Sequence, residues 1–129
     1  MKNILLIEKE TIICLDLKRT FKSCFPESNI TVVNDTTKFE TGFYGADLVV
    51  LDCHSFKQSN FNAIIKMLGN ALANAVPVIL CHSGNTADKN FDYLNIIGDF
   101  QKPFSAQKLV DLYKVYSNRF ENCVLNNVA

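Results

Sequence analysis

The feature that most constrains this chain is a set of short apolar runs spaced along it: Ile4 to Ile7, Ile30 to Val33, Leu48 to Leu51 and Val78 to Cys81, with a weaker fifth at Ile96 to Phe100. A strand that is apolar without alternation is buried on both faces, which is the pattern of parallel sheets covered by helices. Helical periodicity fills the intervals. Ile13, Leu17, Phe21 and Cys24 recur at spacings of four, four and three, predicting a helix from about Thr11 to Phe25 that stops before Pro26. Phe61, Ile64, Ile65, Leu68 and Leu72 repeat the pattern ahead of Pro77, and further helices are expected over about Thr36 to Tyr44 and Thr86 to Leu94. Ser105 is placed to N-cap a last helix carrying Leu109, Leu112, Tyr113 and Tyr116. Alternating β and α at this pitch predicts an α/β fold: a doubly wound three-layer α/β/α sandwich on a five-stranded parallel sheet.

A length of 129 residues fits one domain, read as residues 1–118 with 119–129 as a helix end and tail. Thirteen basic residues balance thirteen acidic ones, so no net field attracts nucleic acid or an anionic membrane. After Met1-Lys2-Asn3 the first apolar run ends at Glu8, too short for a signal peptide or a membrane span, and a cytoplasmic protein is expected. Five cysteines without C-x-x-C spacing point to reduced, mostly buried thiols. Neither a G-x-G-x-x-G nor a Walker sequence occurs, which leaves nucleotide hydrolysis without support.

Chemistry collects where the strands end: Glu8-Lys9-Glu10, Asp52-Cys53-His54, Cys81-His82-Ser83 and Lys102-Pro103. Open α/β sheets bind ligands beyond the carboxyl ends of their strands. In the common 2-1-3-4-5 strand order, Glu8, Asp52 and His82 converge there and Lys102 arrives from the side. The two Cys-His pairs leave open a transition-metal site of N, O and S ligands, although neighbouring strand residues point to opposite faces. Catalysis by Cys53 or Cys81 lacks the Gly-rich oxyanion turn that such a nucleophile uses.

In these segments the chain resembles the receiver domain of two-component response regulators, of the stand-alone type. "LLIEKE" looks like the acidic-pair segment, "DLVVLD" like the phosphoacceptor strand, "PVILCHS" like the switch strand and "QKPF" like the lysine motif, so the resemblance covers about residues 2 to 118. It implies a flavodoxin-like fold with Asp52 as phosphoacceptor, Lys102 as the phosphoryl contact ahead of a cis Pro103, and His82 or Ser83 at the switch position. It also implies Mg2+ held by Glu8, Asp52 and the backbone carbonyl of His54. The implied partners are a sensor histidine kinase or phosphotransfer protein and a downstream protein, met through a surface that includes Phe91, Leu94, Tyr113 and Tyr116. A monomer or weak homodimer, with no enzymatic activity beyond self-phosphorylation and dephosphorylation, is expected.

Two of the five roles are altered. Lys9 stands at the second acidic position, and His82 stands where the family has a hydroxyl residue, with Ser83 next. The aromatic switch position, three before the lysine, is Asp99 unless one residue is deleted, which brings in Phe100. Phosphoryl transfer to a carboxylate needs positive charge between two anions, normally from magnesium. Lys9 removes a ligand and adds a cation; within about 4 Å of Asp52 it would be attracted by ~4 kcal/mol at an effective dielectric near 20. Glu10 is the residue able to replace the missing acid. The reading is an atypical receiver, either phosphorylated at Asp52 or a pseudo-receiver acting through contacts. The alternative is a small metal- or ligand-binding α/β protein using the same cleft.

Overall fold

The structure is a computed structural model of the chain and describes residues 2–34, 45–53, 76–84 and 94–128, with side chains to residue 119 in the last helix. Its elements are β1 (Asn3–Ile7), α1 (Thr11–Cys24), β2 (Asn29–Val33), β3 (Leu48–Asp52), β4 (Pro77–His82), β5 (Asn95–Gln101) and α2 (Ala106–Val128). All strand pairs are parallel and the order is β2-β1-β3-β4-β5, the flavodoxin-like doubly wound arrangement expected from the sequence.

Burial explains why some strands read more clearly than others. Every residue of β3 and β4 is buried, which is why those runs carry no polar alternation. The edge strands β2 and β5 are only partly covered, and β5 contains Gly98 and an exposed Asp99, so its run is broken. Side chains alternate across the sheet. On one face Ile4, Leu6, Val50, Ile79 and Cys81 pack under Leu17 and Phe21 of α1 and Leu109, Val110 and Tyr113 of α2. On the other, Leu5, Ile7, Val49, Leu51, Val78 and Leu80 cluster with Cys53 and Leu94. Each fully buried aliphatic or aromatic side chain of this kind contributes about 1.5–3 kcal/mol.

Helix α1 buries Cys14, Leu17 and Phe21, and it closes with the Phe25 N–H on the Phe21 carbonyl, one residue before Pro26. Helix α2 is capped as expected: the Ser105 hydroxyl accepts the Lys108 N–H at 3.4 Å. Its buried stripe is Ala106, Leu109, Val110, Tyr113 and Ser117. Where the sequence pattern predicts a helix end and a tail, α2 continues to Val128, because residues 119–128 contain neither glycine nor proline to stop it.

The expected partner surface is corrected in two places. Tyr113 is 2% exposed; it lies four residues after Leu109 on the stripe facing α1, with its ring 5.6 Å from Phe25 and 6.5 Å from Phe21. Leu94 is likewise buried, in the second cluster, because it leads directly into β5. Tyr116 is half-buried, while Phe91 lies outside the described residues. The helices expected over 36–44, 61–72 and 86–94 also lie outside them, Leu94 excepted. Among the described residues no helix is long and apolar enough to cross a membrane.

Candidate functional site

Sheet register assembles the site. Ile7 pairs with Leu51, so the next residues, Glu8 and Asp52, leave adjacent strands side by side, and Asp52 in turn pairs with Cys81 of β4. The Lys102 N–H donates to the His82 carbonyl at 2.7 Å, which brings the end of β5 to the same edge, and the Lys102–Pro103 peptide is cis as expected.

Glu8 is held at every polar atom. Its N–H donates to the Val33 carbonyl at 3.1 Å, its carbonyl accepts the Cys14 thiol at 3.3 Å, and its Oε1 accepts the Glu10 N–H at 3.1 Å. The Lys102 ammonium enters between the acids: Nζ lies 3.1 Å from Glu8 Oε2, 3.2 Å from Asp52 Oδ2 and 3.5 Å from Glu10 Oε1. An ammonium has three donors and no acceptor, so three carboxylates match its capacity. The Glu8 and Asp52 side chains are each 2% exposed and that of Lys102 is 13%, whereas Glu10 is 62% exposed at the mouth.

This environment sets the charge states. Burial raises the Glu8 carboxyl above its ordinary value, against the Glu10 N–H that favours the anion, and the Asp52 charge raises it further. Burial pulls the Lys102 ammonium down, but Asp52 and Glu8 outweigh it, so its pKa is raised and the cation persists at neutral pH. The Cys14 thiol is pushed up to about 11 by burial and by Glu8. Burial, Glu8 and Asp52 push the Cys81 thiol up as well. Thiols held protonated this way are poor nucleophiles and poor metal ligands.

The residues singled out from sequence divide clearly. Glu8, Asp52, Lys102 and Glu10 come together. Lys102 places its ammonium on Asp52, and Lys9 is an exposed residue. His82 is tied up beside the acids. Its Nδ1 accepts the Gly84 N–H at 3.1 Å, so the ring proton sits on Nε2, which donates to Asp99 Oδ1 at 2.8 Å. Ser83 is exposed. His54 lies outside the described residues. Cys53 and Cys81 belong to core clusters on opposite faces of the sheet, and among the described residues no three His, Cys, Asp or Glu side chains gather as a metal site.

Sequence reasoning missed two features. One is the His82–Asp99 couple, which only the β4–β5 register reveals. The other is a cavity of about 600 Å3 that Lys102 shares with the site, between Ile12, Leu15 and Arg19 of α1 and the segment from Lys102 to Phe104. Ile12 and Leu15 are 83% and 63% exposed there, and an Arg19–Asp16 ion pair of 3.0 Å lies at its rim. Two exposed apolar residues early in an otherwise well-patterned helix were the available signal.

The sheet order, with acids and a lysine converging on its carboxyl edge, defines a doubly wound domain of the kind that binds ligands at that edge. Solved structures that resemble it include response regulator receiver domains. A receiver domain protein from Methanospirillum hungatei JF-1 matches with a TM-score of 0.70 at 16% identity, over 95% of this chain and 98% of that one. The signal receiver domain of a DNA-binding response regulator from Colwellia psychrerythraea 34H matches with a TM-score of 0.71 at 21% identity, over 92% and 99%. A response regulator protein from Burkholderia multivorans matches with a TM-score of 0.66 at 23% identity, over 91% and 95%. At such identities the likeness is one of fold: the chain has the receiver fold. No protein-family model matches the sequence, and no curated protein does.

Proposed function

We propose that the chain is an atypical receiver domain of a two-component phosphorelay, with Asp52 as the phosphoryl acceptor. The observation that carries this reading is the Lys102 ammonium set between the buried carboxylates of Glu8 and Asp52 at the carboxyl edge of a receiver-fold sheet. Asp52 attacks the phosphorus of a phosphohistidine on a sensor histidine kinase or phosphotransfer protein. A P–O bond forms to the carboxylate oxygen as the P–N bond breaks, and the donor imidazole leaves with the electron pair and takes up a proton. Lys102, 3.2 Å from Asp52, offsets charge on the transferred group.

Glu8 and Asp52 offer the hard oxygen ligands that suit Mg2+, an ion that takes one or two protein carboxylates and keeps its waters. Glu10, 3.5 Å from Lys102, is the third carboxylate at hand, and the His54 carbonyl is the remaining ligand in this reading. When bound, the ion supplies positive charge at the phosphoryl oxygens. Lys9, where a second acid would serve, makes the acceptor slow. The exposed apolar groove between α1 and Lys102 to Phe104 is the face for the donor protein, since Lys102 both lines it and contacts Asp52. The protein then acts as a cytoplasmic monomer or weak homodimer, signals through protein contacts, and catalyses nothing beyond its own phosphorylation and dephosphorylation.

The test is incubation with acetyl phosphate or a phosphorylated histidine donor and magnesium, read by intact mass. An acyl phosphate on the wild type, absent from Asp52→Asn, is expected. Unmodified wild type across a set of donors would overturn the acceptor role and leave a degenerate receiver that works by contacts alone.

A further inference from the structure

His82 joins three separate pieces of chain at the strand ends. Its backbone carbonyl takes the Lys102 N–H at 2.7 Å, its Nδ1 takes the Gly84 N–H at 3.1 Å, and its Nε2–H reaches Asp99 Oδ1 at 2.8 Å. It follows Cys81, the residue paired with Asp52, and itself pairs with Gln101. Two pieces of chain therefore meet on the imidazole, the turn at Gly84 and the middle of β5, while the lysine that touches Asp52 is held by the backbone carbonyl of the same residue. Gly84 sits at φ 125°, a conformation other residues rarely adopt, and the space where a Cβ would project is 3.1 Å from Gln101 Nε2.

We propose that the His82–Asp99 couple is a strap that fixes the turn at Ser83–Gly84, directly after β4, against β5, so that occupation of Asp52 leaves this turn where it is. Asp99 is the positioning residue. By accepting the Nε2 proton it fixes the tautomer and turns the Nδ1 lone pair toward the Gly84 amide. With both ring nitrogens engaged, the imidazole has no free atom to offer a group bound on Asp52. The strap itself follows from geometry; its regulatory consequence, a turn uncoupled from Asp52, rests on the receiver reading above. A signal from Asp52 then leaves through Lys102 and α1 instead of through this turn.

The experiment uses the 15N-labelled full chain, which has only two histidines, so the ring signals are few. Wild type is expected to show a pyridine-type Nδ1 and a pyrrole-type Nε2 on His82, and a Gly84 amide that exchanges slowly with water. Asp99→Ala, at a side chain 60% exposed and so tolerant of truncation, should speed that exchange at least tenfold, as should His82→Ala. Asp99→Asn, whose side-chain oxygen still accepts from Nε2, should restore it. Equal Gly84 rates in wild type and Asp99→Ala would overturn the strap. Addition of beryllofluoride with magnesium, which mimics the acyl phosphate, should move the amides next to Asp52 and leave the Gly84 rate within twofold; faster exchange at Gly84 on binding would also overturn it. If beryllofluoride moves nothing, the acceptor reading fails, and the Gly84 rates of the variants still decide the strap.

Discussion

Replacing Lys102 with methionine keeps an unbranched apolar stem of four heavy atoms and removes the ammonium. Two carboxylates that are 2% exposed, Glu8 and Asp52, are then left facing each other without the cation that separates them. At 3.2 Å and an effective dielectric near 20, each lysine contact is worth about 5 kcal/mol before desolvation. Most of that gross term is offset by the burial of the ammonium and the repulsion between the acids. Measured losses on removing one partner of a buried pair run to about 3–5 kcal/mol. The lower end applies here, because Glu8 already has a raised pKa and relieves the repulsion by taking a proton. Lys102→Met should therefore lose about 3 kcal/mol at pH 7, or about 9–12 °C in melting temperature for a domain of this size. Urea unfolding in EDTA measures it. The loss should shrink as the pH falls through the raised Glu8 value, since a neutral Glu8 no longer needs the lysine. Millimolar magnesium should recover part of it by supplying the missing positive charge. A loss below about 1 kcal/mol at pH 7 in EDTA would falsify the view that Lys102 neutralises the site.

Two further outcomes follow from the same geometry. Glu8→Gln should stabilise the fold at pH 7: a carboxyl whose folded pKa is raised favours the neutral form, and its stabilising contribution, complete below the ordinary value of 4.5, is lost as pH rises through the folded value. The gap between variant and wild type should close toward pH 4, and a variant less stable than wild type at pH 7 would contradict the burial argument. At Gly98 a Cβ would stand 2.3 Å from Leu112 Cδ2, where β5 meets α2. Gly98→Ala should cost about 1–3 kcal/mol, and adding Leu112→Ala should recover part of the loss; a melting temperature equal to wild type for Gly98→Ala alone would mean that Leu112 moves aside freely.

The sheet and its acid edge were legible because central parallel strands write burial directly into sequence. "LVVLD" and "PVILCH" are apolar until the residue that leaves the sheet, so the first polar group marks the strand end as well as the site. Lys102 was legible through the Lys-Pro pair and Ser105 through its place ahead of α2. Asp99 was not. Its partnership with His82 depends on a register shift between Val78 and Ile79 in the β4–β5 ladder, a backbone irregularity that leaves no mark on residue type. Tyr113 was misplaced for a related reason. A tyrosine on a helical stripe can lie inside or at its edge, and the packing of Phe21 and Phe25 against it decides which. Lys102 was expected beside Asp52 from its motif, and the fold delivers it from ninety-four residues beyond Glu8.

The placement of the acids at the ends of β1 and β3 also ties the life of the site to global unfolding. These strands lie inside the sheet, with β2 and β5 at its margins. Partial opening of a protein begins where burial is thinnest, here the margins. A molecule that has peeled β2 away still holds Glu8 against Asp52 through the four β1–β3 rungs from Ile4–Leu48 to Ile7–Leu51. Breathing at the margins can thus change which surfaces a protease or partner meets while the two acids stay side by side.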